Sequence, residues 1–291
     1  MLIAAALLSA GSIAFAVWML AEAFRTAVNT EEVRLHRLPA SFDGTRIFFI
    51  SDIHRRRLPQ KLLDDPILSE GADLVLIGGD LREGGVPLKR TRDNVRLLSR
   101  LGPVYLVYGN HDHDEPVREL EVLLEEERVR VLVNEAVRLE KKDGSVIRLV
   151  GVDDPKTRRD RLGLALGTGK AAVDQETIPF TLLLAHDPII AERLPCSGEG
   201  SRIDLILAGH THGGQIVVPF AGAVINSKSL NLYPKGWFQL QQAGMAVGEE
   251  CRMLVSRGFG TSKIPFRLRA PAEAHLLTLR SCPQSESSRD Q

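Results

Sequence analysis

The chain has 291 residues, 44% of them hydrophobic, enough to bury one large core without a second domain. Lysine plus arginine and aspartate plus glutamate are both 37, so no global basic field exists to hold a phosphate backbone, and nucleic acid is not an expected partner. The three cysteines, Cys196, Cys251 and Cys282, are odd in number and lack a Cys-x-x-Cys spacing, so neither a disulfide framework nor a structural zinc knuckle is implied.

Residues 2–21 carry no charge, and as a helix rising about 1.5 Å per residue they would span roughly 30 Å, the thickness of a bilayer core. Trp18 stands near one end, where an interfacial ring is expected. Ala21-Glu22-Ala23 has the small-x-small form of a cleavage site. No basic residue precedes the apolar run, however, and the run exceeds a signal-peptide core, so a transmembrane anchor over 1–24 is favoured over a cleaved signal. Arg25, Arg34 and Arg37 follow it, which favours a membrane protein with a cytoplasmic catalytic domain, although Glu31 and Glu32 sit among them.

Residues 25–44 read as a polar, partly helical connector ending at Pro39 and the Asp43-Gly44 turn. A catalytic domain over 45–280 follows. Its apolar runs of strand length at 47–51, 74–78, 104–108, 129–133, 146–152, 181–185 and 203–208 alternate with helical or polar segments, which implies α/β layering. Helices are expected at 60–69, 89–101 and 116–127, with Pro116 suited to a first turn. Lys142-Asp143-Gly144 marks a tight hairpin. Residues 156–176 read as a flap or a helix crossing the site. Short strands at 216–218, 237–240, 252–256 and 274–279 suit a second sheet, and the polar residues 281–291 read as a disordered tail.

Five polar clusters sit at or just beyond the ends of expected strands: Ser51-Asp52-Ile53-His54, Gly78-Gly79-Asp80, Gly109-Asn110-His111-Asp112, His186-Asp187 and Gly209-His210-Thr211-His212-Gly213-Gly214. In layered α/β folds ligands collect at such loops. Asp52 with His54, and His210 with His212, alternate by two and can each meet one ion. Asp80 offers two oxygens able to bridge ions, Asn110 an amide oxygen and His186 an imidazole nitrogen. This thiolate-free set suits manganese, iron or zinc, with manganese favoured. His113 lies nearby without a vacant slot, Asp153 and Asp154 either line the cleft or form a turn before Pro155, and the glycines of 256–261 suit a tight turn rather than an anion-binding loop.

In this order the residues resemble the calcineurin-like metallophosphoesterase superfamily, whose pattern runs Asp-x-His, Gly-Asp, Gly-Asn-His-Asp/Glu, a lone His and Gly-His-x-His. The resemblance implies a four-layer αββα sandwich, two packed mixed sheets flanked by helices. It implies one ion held by Asp52, His54 and His212, another by Asn110, His186 and His210, and Asp80 between them. Two divalent ions in such a site lower the pKa of a shared water for in-line attack on phosphorus. His111 is left for the substrate, stabilising transition-state charge or protonating the leaving oxygen, with Asp112 orienting its ring. Arg55-Arg56-Arg57 departs from the small or apolar residue the family often has there; Arg55 and Arg56 are either phosphate or headgroup contacts or a solvated loop.

Within the superfamily the chain resembles a membrane-anchored bacterial branch that includes hydrolases of UDP-2,3-diacylglucosamine in lipid A synthesis. The expected activity is hydrolysis of a phosphoester or pyrophosphate bond, with a phosphorylated, lipid-linked substrate favoured by the anchor. A general phosphodiesterase or phosphatase is the alternative, and a catalytically silent interaction module would show lost ligands, of which there are none.

Overall fold

The computed structural model describes residues 2–167, 179–194, 202–242, 245 and 250–282. In chain order the elements are α1 (Leu2–Ala23), β1 (Ala27–Leu35), β2 (Arg46–Ile50), β3 (Leu74–Gly78), α2 (Leu88–Leu98), β4 (Val104–Val107), α3 (Val117–Glu126), β5 (Arg130–Val131), β6 (Glu135–Glu140), β7 (Val146–Gly151), α4 (Leu162–Leu166), β8 (Phe180–Leu184), β9 (Leu205–Ala208), β10 (Val217–Val218), β11 (Gly222–Ala223), α5 (Lys228–Leu232), β12 (Gly236–Leu240), β13 (Cys251–Val255) and β14 (Glu273–Ser281).

Two six-stranded mixed sheets form, ordered β1-β14-β2-β3-β4-β5 and β12-β13-β9-β8-β7-β6. Their strands are apolar on both faces, and the period of two divides each strand between two cores. Ile47, Phe49, Leu74 and Leu76 meet Phe180, Leu182, Leu184, Leu205 and Leu207 between the sheets. Phe48, Ile50, Val75 and Ile77 point the other way, onto Val95 and Leu98 of α2 and Leu120 and Leu124 of α3. On the far side, Val150, Leu183 and Ile206 pack under Leu162, Ala165 and Leu166 of α4. Helix, sheet, sheet and helix are the four expected layers.

Several local expectations change. The segment expected to be a partly helical connector contains β1, which pairs parallel with β14 and sends Val33 and Leu35 into the inter-sheet core. Residues 60–69 make two 3₁₀ turns rather than a helix: Pro66 supplies no N–H, and Asp65 caps the second turn by accepting from the Ile67 N–H. Residues 273–281, expected in the second sheet, join the first between β1 and β2. α4 packs on the outer face of the second sheet instead of crossing the site; residues 168–176 and 283–291, parts of the expected flap and tail, lie outside the described residues.

The hairpin of β6 and β7 is antiparallel, whereas β2 through β5 run parallel, as do β7, β8, β9 and β13. The strands bearing the polar clusters therefore deliver their C-terminal loops to one edge of the sandwich. Leu182→Ala, in the middle of the inter-sheet core, should lower the unfolding free energy by roughly 2–5 kcal/mol in a urea titration of the detergent-solubilised chain. Val133→Ala, at an exposed position, should change it by less than about 0.5 kcal/mol.

Candidate metal centre

Asp52 and His54 follow β2, Asp80 follows β3, Asn110 follows β4, His186 follows β8, and His210 and His212 follow β9. Backbone hydrogen bonds stitch these loops together before any side chain is counted. Asp52 N donates to Gly79 O at 3.0 Å, His54 N to Asp80 O at 2.9 Å and Gly209 N to His186 O at 2.9 Å. Carboxylates join in: His111 N donates to Asp80 Oδ1 at 2.8 Å, and His210 N reaches both Asp52 oxygens at 3.1 Å. So close an approach needs glycine. A Cβ on Gly109 would lie 2.3 Å from Asp80 Oδ1, and one on Gly209 would lie 2.4 Å from Asp52 Oδ2.

Five of the seven expected ligands, Asp52, His54, Asp80, His210 and His212, have φ between 50° and 71°. That left-handed region is unfavourable for residues with a Cβ, by roughly 1–3 kcal/mol each. The strain aims the side chains of three loops at one point.

Two imidazole pairs result. His54 Nε2 lies 3.0 Å from His212 Nε2, and His186 Nε2 lies 3.1 Å from His210 Nδ1. Asp80 Oδ2 stands between them, 3.5 Å from His54 Nε2 and 3.3 Å from His186 Nε2, and Asp52 Oδ1 is 3.3 Å from His212 Nε2. Asp52, His54 and His212 converge closely enough to hold one ion, as do Asp52, Asp80 and His186. Asp52, Asp80, His54 and His186 are at most 1% exposed.

The donor set fits divalent cations on several counts. Asn110 Oδ1 is buried without a hydrogen-bond partner, a costly condition that a cation would relieve. The Gly78 carbonyl, 2.9 Å from His186 Nδ1, can only accept, so that nitrogen carries the proton and Nε2 faces the centre. Glu83 Oε2 stands 3.5 Å behind His54 Nδ1, the arrangement that orients metal-binding imidazoles.

Electrostatics points the same way. Burial opposes ionisation of Asp80, but His186 and His54 outweigh it and hold its pKa well below the usual range. Burial and then Asp52 and Asp80 compete at His186, and the carboxylates win, raising it well above an ordinary histidine. Burial, reinforced by His186, keeps His210 well below, and burial with His54 does the same for His212. Each pair thus joins one ring favouring a positive charge to one ring staying neutral, with acidic oxygens around them.

The structure rearranges some expected roles. His111 stands edge-on to His54 at a ring separation of 5.1 Å and lines the cleft, but the carboxylate at its Nδ1 is that of Asp114, 2.8 Å away. Asp112 turns inward and accepts from the N–H groups of Arg82 and Gly109 at 2.9 Å; burial and the nearby Asp80 raise its pKa to about 6. It fixes the loop rather than the ring.

Arg56 is not aimed at substrate. It is buried over the Phe259 ring, 3.9 Å from the centroid, and donates to the carbonyls of Ala23, Phe24, Arg25 and Phe259. Arg55 is exposed and pairs at 3.0 Å with Glu83. His113 pairs with Asp153 at 2.9 Å, whereas the Asp154 carboxylate accepts from the Lys156 and Thr157 N–H groups and makes a turn. His275 lies elsewhere, between Glu31 and Glu273.

Sequence reasoning missed Glu83, Asp114 and Arg267. The last is fully buried, with Nη2 3.2 Å from His212 Nδ1, and no local pattern marks it. The 256–261 segment was read as a turn. Its glycines instead let it lie on the ligand loop: Gly260 N donates to Asp52 O at 2.7 Å, and a Cβ on Gly258 would come within 2.6 Å of Asp52 Cβ.

A cleft of about 230 Å³ opens over Asp80, Asn110, His111, His210 and His212, with Lys156, Ile225, Leu230 and Lys263 along its walls. A clustered set of hard oxygen and imidazole donors beneath an open cleft with basic walls suits a phosphorylated ligand.

Comparison with known proteins agrees with this geometry. The family profile described as calcineurin-like phosphoesterase matches residues 45–214. YpbG of Bacillus subtilis is 36% identical over 80% of this chain and 80% of its own length. A bovine transmembrane protein with metallophosphoesterase domain is 33% identical over 88% of this chain and 58% of its own. The phosphodiesterase YaeI of Escherichia coli is 30% identical over 66% of this chain and 70% of its own. Three solved structures that match, a NAD nucleotidase of Haemophilus influenzae, a 5'-nucleotidase precursor of Thermus thermophilus and a putative 5'-nucleotidase of Staphylococcus aureus, are more distant, at 12–18% identity and TM-scores of 0.42–0.49, and this chain covers 45–56% of their length. With the matched segment containing every expected ligand loop, the chain belongs to the calcineurin-like phosphoesterase family of metal-dependent phosphoester hydrolases.

Proposed function

We propose that the chain is a membrane-anchored hydrolase that holds two divalent ions, manganese favoured, and cleaves a phosphoester or pyrophosphate bond of a lipid-linked substrate on the cytoplasmic side. The observation that carries this reading is the convergence of Asp52, His54, Asp80, His186 and His212 from both sheets, with His210 against His186 and Asn110 Oδ1 buried without a partner. Asp52, His54 and His212 would hold one ion, Asn110, His186 and His210 the other, and Asp80 both. Two such ions activate a water at neutral pH and neutralise the charge of a phosphoryl group.

The remaining chemistry falls to the chain's own side chains. His111, at the cleft floor and backed by Asp114, donates a proton to the leaving oxygen or a hydrogen bond to the phosphoryl group. Lys156 and Lys263 on the cleft walls place positive charge where a phosphorylated substrate enters. Ile225 and Leu230 add an apolar wall suited to an acyl chain. The apolar α1 leads directly into the domain, so a substrate carried in the membrane need not leave it entirely.

UDP-2,3-diacylglucosamine is the test substrate for the lipid-linked reading. Detergent-solubilised protein with manganese should cleave it alongside an aryl phosphodiester; cleavage of the aryl ester alone would remove the lipid reading and leave a general phosphodiesterase, the activity in the name of the E. coli relative. In the same assay Asp80→Asn should lower kcat/KM by at least roughly 10²-fold. Unchanged turnover would defeat the dinuclear assignment.

His111→Ala should lower kcat by roughly 10²–10⁴-fold on an alkyl phosphodiester and by much less on a nitrophenyl ester, whose leaving oxygen needs no proton. Asp114→Asn should follow the same leaving-group trend more weakly, while Asp112→Asn should show no such trend. Glu83→Gln should weaken metal affinity by roughly 10–100-fold, read by competition with a chelating dye.

A further inference from the structure

Residues 215–232 leave the second sheet as a small excursion: the two-stranded β10–β11 hairpin, an exposed loop and α5. Phe220, at the hairpin turn, is fully exposed, and Val224 and Ile225 are each 65% exposed. Nothing in the fold covers them, and single exposed apolar residues are ordinary. Here all three fall within residues 220–225, on a segment that also lines the metal cleft through Gln215, Ile225 and Leu230.

The base of this hairpin is bound to the end of α1. Val217 N donates to Leu268 O at 3.0 Å and Leu268 N to Gln215 O at 2.8 Å, so 215–217 pairs with 268 like a strand. The next residue back, Arg267, donates its own N–H to Met19 O in the last turns of α1, at 3.1 Å. Ala272 N reaches Glu22 O at 3.1 Å, and Arg56 holds the carbonyls of Ala23, Phe24 and Arg25. The hairpin base therefore lies about one strand spacing, roughly 5 Å, from the segment that grips the apolar helix. Trp18, half exposed, and exposed Phe24 sit at that same end of α1.

The charge carried by residues 205–248 and 251–272 has one sign. No aspartate or glutamate occurs between Asp204 and Glu249, nor between Glu250 and Glu273. Lys228, Lys235, Lys263 and Arg269 are all exposed there. Exposed apolar side chains on a basic stretch of chain at the end of a membrane-length helix match the boundary layer of an anionic bilayer.

We infer that the β10–β11 hairpin is a second membrane contact, in which Phe220, Val224 and Ile225 enter the headgroup–acyl boundary of the bilayer that α1 spans and turn the mouth of the metal cleft toward lipid. This rests on the reading of α1 as a membrane span and is independent of which bond is cleaved.

The test uses the full chain reconstituted into vesicles of phosphatidylcholine and phosphatidylglycerol, with or without lipids brominated near the headgroup end of the acyl chain. Phe220→Trp adds an indole at the tip, and Val133→Trp adds one at an exposed position beyond β5, at the opposite edge of the first sheet. After subtraction of the parent emission, the Phe220→Trp signal should be blue-shifted and lose at least about half its intensity to brominated lipid, while the Val133→Trp signal should stay at the wavelength of hydrated indole, unquenched. Carbonate-resistant flotation of the vesicles checks the anchor separately. Flotation with an unquenched Phe220→Trp overturns the hairpin contact alone; loss of flotation overturns the anchor with it; equal quenching at both sites shows unspecific adhesion and also overturns the contact.

Discussion

Two buried carboxylates, Asp52 and Asp80, organise everything around them. Removed from water, each disfavours its own charge; His186 and His54 overcome this at Asp80, whereas at Asp52 burial prevails and its pKa stays raised. The fold brings those donors from every neighbouring loop: the backbone N–H of His210 to Asp52, the backbone N–H of His111 to Asp80, and imidazoles around both. Glycines at 109 and 209 permit the approach, and left-handed backbone at five ligand positions is the strain that results. Asp80 is held anionic by His186 and His54, which favour positive charge, while burial pushes Asp52 the other way; the centre balances its charge through protons on imidazoles, a role that a cation can take over.

Much of this was legible because the informative features are local. A strand ending in Asp-x-His or Gly-His-x-His shows its register and its ligand chemistry in one short stretch, and parallel strands in layered folds put such ends on one edge. What stayed hidden depends on partners far along the chain. β1 carries Glu31, Glu32 and Arg34, too polar to announce a strand; it is one because β14, some 240 residues later, supplies the hydrogen bonds and Val33 and Leu35 find the inter-sheet core. The partner of His111 was misassigned by two residues for a reason of helix type. Residues 111–113 form a 3₁₀ turn, in which positions i and i+3 eclipse, so Asp114 and not Asp112 comes under the ring.

Arginines proved the least legible residues. A run of three after His54 suggests an anion contact or a solvated loop, yet its middle member is neither. The planar guanidinium of Arg56 lies against Phe259 and gathers carbonyls from two chain segments, a geometry that no sequence window can show. Arg267 does the same from the other side, donating to the carbonyls of Arg257, Gly258, Gly260 and Ala270 while facing His212. Carbonyls left over at the end of α1 are the main acceptors for Arg56, and those of a glycine-bearing turn for Arg267, which makes the cations integral to the fold rather than to substrate binding.

The two arginines also decide what kind of tether α1 can be. A helix joined to a domain by a pliant linker leaves the domain free to tumble, and its active site then samples every orientation relative to the bilayer. Here Arg56, two residues beyond His54, holds the chain as it leaves the helix, and the backbone N–H of Arg267 holds the helix one turn earlier. The same Arg267 side chain contacts His212 at both its ring and its carbonyl. One residue separates Arg56 from His54, and Arg267 touches His212 itself, so reorienting the helix would mean breaking three hydrogen bonds from the Arg56 guanidinium, each worth roughly 1.5–3 kcal/mol, besides the backbone bonds at Met19 and Glu22. On the reading of α1 as a span, the cleft would be held at an angle to the membrane set by the fold rather than by diffusion within a tether.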